Sequence, residues 1–169
     1  MTKYKHSQKN LTILAVQVGK QLKLNNFYLA TAESCTGGGI AQTITEIAGS
    51  SAWFDRGFVT YSNASKCELL GVSADILENF GAVSEQTVLA MAKGALARSQ
   101  AQISVAVSGI AGPDGGTIDK PVGTVWIAWT LFDRQIARCF QFEGDRHAVR
   151  QQTIQEALQG VLSELQAVR

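Results

Sequence analysis

The chain has 169 residues, 46% of them hydrophobic and 17% charged, a length near that of one ordinary domain with too much apolar content for disorder. Its 15 Lys and Arg against 14 Asp and Glu leave a net charge of +1, which excludes the basic footprint expected of a nucleic-acid or anionic-membrane binder. No apolar run approaches the ~18 residues of a membrane span. Leu11, Leu14, Ala15, Val18 and Leu22 recur at helical spacing and predict a first amphipathic helix, with residues 1–9 ahead of it a flexible tail. Residues 27–32 read as a buried strand that runs into Glu33-Ser-Cys-Thr-Gly-Gly-Gly39 and a helix ending near Ile47. Gly49-Ser-Ser51 turns the chain, and residues 57–61 read as the second strand.

Ser62, Ser73 and Ser84 each stand where a helix N-cap is needed, and Gly71 and Gly81 stop the first two of these helices. The third runs to about Ser99. Residues 103–107 form a short apolar strand, followed by the glycine-rich Ser108-Gly-Ile-Ala-Gly-Pro-Asp-Gly-Gly116. Residues 124–131 and 135–142 read as a hairpin turning at Asp133-Arg134. A last helix starts near Asp145 and buries Ile154, Ala157, Leu158, Val161, Leu162 and Leu165. Strands separated by helices predict a single α/β domain over residues 1–169, with its core at about 10–165: a three-layer α/β/α sandwich around a mixed, mostly parallel sheet. Ligands of such sheets bind outside the carboxyl ends of the strands, which directs attention to 33–39, 62–66 and 108–116.

Free N–H groups at the start of a helix, with glycines permitting close approach, suit either a phosphate or an oxyanion; the same glycines can simply turn the chain. Ser34, Cys35 and Thr36 crowd the first turn as nucleophiles. Cys35 wants an imidazole partner, and the chain has only His6, in the tail, and His147, at the start of the last helix. Lysine is the remaining base, and Lys66 follows the second strand with Tyr61, a proton shuttle or a packing ring. An ordinary lysine is neutral in about one molecule in 2,500 at pH 7, so a basic Lys66 requires burial or a nearby cation. Arg146 and Arg150, one helical turn apart, are expected to project together and grip a phosphate, or else to be solvated. Three cysteines without a CxxC pair and two histidines offer neither a disulfide framework nor a zinc site, and a cytoplasmic, cofactor-free protein is expected. A low charged fraction, with Trp53 and Phe54 read in a loop, predicts a homo-oligomer, most simply a dimer.

Thr31-Ala-Glu-Ser-Cys-Thr-Gly-Gly38, Gly49-Ser-Ser51, Gly57-Phe-Val-Thr-Tyr-Ser62, Gly81-Ala-Val-Ser84, Ser108–Gly116 and Lys120-Pro-Val-Gly-Thr-Val125 together resemble the CinA C-terminal domain family over residues 10–165. The chain is most similar to the stand-alone members of that family, which deamidate nicotinamide mononucleotide. Larger members carry a further domain similar to molybdopterin-binding proteins, and any activity of that domain is not expected here. The resemblance implies Ser34 as nucleophile, Lys66 as general base and Tyr61 as an assisting hydroxyl. It also implies ligand contacts from Thr36, Gly37, Gly38, Ser108, Gly109, Gly112, Gly115 and Gly116, no metal, and a role in pyridine nucleotide recycling. Two alternatives stand beside it: a nucleotide phosphohydrolase on the same scaffold, and a non-enzymatic nucleotide-binding module tied to competence.

Overall fold

The computed structural model describes the backbone of residues 2–167 and the side chains of 10–167. Its elements follow the order read from the sequence: α1 (Thr2–Asn25), β1 (Leu29–Glu33), α2 (Gly39–Thr45), β2 (Phe54–Val59), α3 (Asn63–Leu70), α4 (Ala74–Phe80), α5 (Glu85–Ala97), β3 (Ile103–Gly109), β4 (Thr124–Leu131), β5 (Arg134–Gln141) and α6 (Arg146–Gln166). The strands form one sheet in the order β2-β1-β3-β4-β5. β1 pairs in parallel with β2 and β3, and β4 runs against both β3 and β5, so four strands share one direction. This is the mixed α/β sheet expected. No helix among the described residues is long and apolar enough to cross a membrane.

Strand alternation sorts the two faces. Leu29, Ile103, Val105, Val107, Val125, Ile127 and Trp129 point to the side covered by α1, α2 and α6. Ala30, Ala32, Ala106 and Ala128 point to the other side, where α5 lies across β1, β3, β4 and β5. Four methyl groups make that face shallow, and α5 can sit close to the sheet. Gly94 continues the close packing, since a Cβ there would overlap the Leu70 carbonyl. On the opposite side Gly160 makes room for the Trp129 ring, whose Nε1 donates to the Ala157 carbonyl at 2.9 Å.

Several boundaries differ from expectation. α1 begins at Thr2, ahead of the apolar stripe, so the backbone of 2–9 is helical; the side chains there, His6 included, lie outside the described residues. β2 starts at Phe54, three residues before the expected strand, because this edge strand carries Asp55 and Arg56 where an apolar run was sought. A short 3-10 turn, Ser50–Ala52, points Trp53 inward, and its indole packs where Gly19 lacks a Cβ. Trp53 is 1% exposed, so neither it nor Phe54 belongs to a contact loop, and the expectation of a dimer keeps only the low charged fraction behind it.

Candidate active site

The ends of three strands meet at one edge of the sheet. Ser34 N–H donates to the Val107 carbonyl at 3.0 Å, and Thr60 N–H to the Glu33 carbonyl at 2.8 Å, so β1 is tied to both neighbours where it ends. A cavity of about 240 Å³ opens there, lined by residues that include Ser34, Cys35, Tyr61, Asn63, Lys66, Ser108 and Arg146. Ala82, Val83, Gly109 and Ala111 complete its wall.

Lys66 reaches this cavity because the turn after β2 is short and firmly capped. Ser62 Oγ accepts the Ser65 N–H while Ser65 Oγ accepts the Ser62 N–H, a reciprocal cap that starts α3 and directs Lys66 back over β1. Lys66 is 1% exposed. Its Nζ donates to the Thr60 carbonyl at 3.0 Å and lies 3.3 Å from Ser34 Oγ. No carboxylate pairs with it among the described residues. Burial therefore lowers its affinity for a proton below that of an ordinary lysine, against weaker opposing effects of the Cys35 and Cys67 thiols. A neutral lysine beside a serine hydroxyl is a base facing a nucleophile.

Cys35 is held differently. Desolvation pushes its thiol up to about 12, so it is protonated at neutral pH and a poor nucleophile. His147 lines a second cavity of about 260 Å³, with Gly39, Gln42, Glu46 and Arg150 among its neighbours, and does not line the Ser34 cavity. Of the N–H groups in the turn, those of Gly37 and Gly39 donate to Ser34 and Thr36 carbonyls at 3.1 Å. The amides of Cys35, Thr36 and Gly38 make no such bond among the described residues. Gly37 is thus committed to the turn itself, Thr36, Gly37 and Gly38 do not line the cavity, and the amides that follow Ser34 directly in the chain are those of Cys35 and Thr36.

Arg146 and Arg150 do not act together. Arg146 lines the Ser34 cavity, donating through Nη2 to Tyr61 Oη and through Nη1 to the Gly112 carbonyl, both at 2.8 Å. Arg150 donates through Nη2 to the Thr36 carbonyl at 2.8 Å and lines the second cavity. One helical turn sets their Cα atoms on one face, yet long side chains diverge to different acceptors. Ser108 lines the Ser34 cavity, and its hydroxyl donates to the Ala82 carbonyl at 2.7 Å. Gly109 follows it in the wall, whereas Gly112, Gly115 and Gly116 do not line the cavity. Gly116 is glycine because a Cβ would come within 2.7 Å of the Val122 nitrogen, and Gly112 likewise faces the Val122 side chain.

Two polar contributors were not expected from the sequence. Asn63 lines the cavity, and its only signal was a place inside the motif that carries Lys66. Glu33 is fully buried and accepts from Thr36 Oγ1, Ile40 N–H and Ala41 N–H. A carboxylate just before a helix start is a recognisable cap, but here it acts from the end of a strand. No group of three or more His, Cys, Asp or Glu side chains among the described residues is placed to hold a metal ion.

Residues 11–165 match the CinA C-terminal domain model. The nicotinamide-nucleotide amidohydrolase PncC of Enterobacter agglomerans is 57% identical over 159 residues, covering 94% of this chain and 97% of that protein. The protein of the same name from Pseudomonas putida is 55% identical over 152 residues, 90% of this chain and 95% of its own. Among solved structures, the competence/damage inducible protein CihA of Agrobacterium tumefaciens superposes with a TM-score of 0.89 at 45% identity, covering 91% of this chain and 94% of that one.

Proposed function

The chain belongs to the CinA C-terminal domain family, and on that premise we propose that it hydrolyses the carboxamide of nicotinamide mononucleotide to nicotinate mononucleotide and ammonia. One observation supports this reading above the others: a buried lysine without a carboxylate partner stands 3.3 Å from the hydroxyl of a serine at the end of a strand. Neutral Lys66 takes the Ser34 proton as Oγ bonds to the carboxamide carbon, and the carbonyl electron pair moves onto oxygen. The Cys35 and Thr36 N–H groups receive that oxyanion. Collapse of the intermediate breaks the C–N bond, and Lys66 returns its proton to the departing ammonia. Water then attacks the ester by the same route and restores Ser34.

Tyr61 accepts from Arg146 and keeps its own O–H as a donor toward the leaving nitrogen or the water. Arg146, in the cavity wall, is the arginine available to the substrate's phosphate. The product returns the pyridine ring to nucleotide recycling in the acid form. Ammonia release from nicotinamide mononucleotide by the purified protein tests the reading. Wild type should release it and Ser34→Ala should not; turnover by the variant above about a tenth of wild type, a barrier change under about 1.4 kcal/mol, would rule out Ser34 as nucleophile.

A further inference from the structure

Thr36 is held from two directions. Its Oγ1 donates to Glu33 Oε2 at 2.6 Å, and its carbonyl accepts from Arg150 Nη2 at 2.8 Å as well as from Gly39 N–H. Glu33 is fully buried, and its remaining capacity goes to Ile40 N–H at 3.0 Å and Ala41 N–H at 2.8 Å. Its carboxylate therefore stands at the start of α2, where a bound phosphate would otherwise find its donors. Arg150 arrives from α6, on the other side of the turn. Its Nε is buried without a hydrogen-bond partner, and no carboxylate lies within ion-pair distance of it among the described residues. A guanidinium serving only solubility would turn that N–H to water. This one is kept inward, bonded to the turn that carries Ser34.

We infer that Glu33 and Arg150 are positioning residues that clamp Thr36 by its hydroxyl and its carbonyl, and so aim the Cys35 and Thr36 N–H groups at the oxyanion. The inference rests on Ser34 acyl transfer as proposed above. Two consequences separate it from a substrate-gripping role. The start of α2 is closed to the substrate's phosphate by an internal carboxylate. Arg150 touches the turn and does not line the Ser34 cavity, so its removal acts on kcat with KM unchanged, whereas removal of Arg146 raises KM.

Steady-state ammonia release from nicotinamide mononucleotide, followed against pH, tests this with Arg150→Ala, Arg150→Lys, Arg146→Ala and Glu33→Gln. Arg150→Ala should lower kcat by about ten- to a hundred-fold, the loss typical of a misplaced catalytic group, with KM within about two-fold. The pH of half-maximal kcat should not move, because Lys66 is untouched. Arg150→Lys keeps a cation and a donor and should recover part of the loss. Arg146→Ala should raise KM about ten-fold or more, beside any fall in kcat from the released Tyr61 hydroxyl. Glu33→Gln should lose at least about ten-fold in kcat; if it does not fold, the Arg150 variants carry the test alone. A kcat for Arg150→Ala within ten-fold of wild type, or a rise in KM larger than the fall in kcat, would overturn the clamp. A wild type that releases no ammonia, or an active Ser34→Ala, removes the amidohydrolase reading and the clamp with it. An active wild type, a silent Ser34→Ala and an undiminished Arg150→Ala remove the clamp alone.

Discussion

Two glycine-rich segments leave the same edge of the sheet and meet different fates. The 33–39 turn is buried around Ser34 and Thr36, tied to its neighbours by Glu33, Arg150 and the end of β3, and it carries the proposed nucleophile. The 108–116 segment gives the cavity only Ser108, Gly109 and Ala111 and then turns away, with Gly112 and Gly116 packed on Val122. Glycine marks close approach in both. In the first the glycines follow Ser34 at the cavity, and in the second the chain approaches itself. A glycine-rich motif read alone does not distinguish a backbone that meets a ligand from one that meets its own fold.

Removing the proposed base that faces the first segment should have the largest effect. Lys66→Met should lower kcat by about a thousand-fold or more, while leaving stability at pH 7 equal or higher. The sign follows from proton binding. Burial holds the folded-state value of Lys66 below 10.5, so the unfolded chain binds a proton that the folded chain releases between the two values. Stability from this group therefore rises with pH across that window and is lost as pH falls below the folded value. Urea unfolding of wild type and Lys66→Met at several pH values checks this: the variant's midpoint should depend less on pH within the window. A variant that unfolds markedly more easily at pH 7 would show that Lys66 is a structural ammonium.

The pH profile of wild-type kcat is the next test. The proposed chemistry requires neutral Lys66, so kcat should rise about ten-fold per pH unit at low pH and level off below pH 10.5. A rate that falls as pH rises through neutrality would assign Lys66 the opposite, acidic role.

The second segment should respond in stability and not in turnover. Gly115 has φ 92, so Gly115→Ala should cost about 1–2 kcal/mol, a shift in Tm of about 2–8 °C, with KM for the mononucleotide within about two-fold. Thermal unfolding with steady-state kinetics reads both, and a ten-fold rise in KM would bring this loop into the ligand site. Cys35→Ala should show the smallest effect, keeping at least about a third of wild-type kcat, because a thiol at about 12 contributes no nucleophile at neutral pH. Loss of activity in a variant that folds normally would return Cys35 to the chemistry.

Much of this was legible along the chain because its causes are local. Ser62, Ser73, Ser84 and Asp145 each accept a backbone N–H three residues ahead, as short N-capping side chains do, and the helices begin where they stand. Ser34 and Lys66 follow the ends of adjacent parallel strands, so the expectation that they share an edge needed only the strand order. What escaped depends on partners distant in sequence. Trp53 is buried by a glycine in α1, Arg150 bonds a carbonyl 114 positions away, and Gly112 answers to Val122. The start of β2 escaped for another reason, since an edge strand tolerates Asp55 and Arg56 on its open side and loses its apolar signature.

The claim on which the rest depends is that Ser34, activated by Lys66, becomes acylated. Rapid acid quench of the enzyme during turnover of nicotinamide mononucleotide, followed by proteolysis and mass spectrometry, reads that intermediate directly. The peptide containing Ser34 should gain the mass of the substrate less ammonia, with fragmentation placing the group on the serine oxygen, and Ser34→Ala should show no adduct. An adduct on Cys35, or full turnover with no covalent species at any quench time in an enzyme whose deacylation is rate-limiting, would contradict the account.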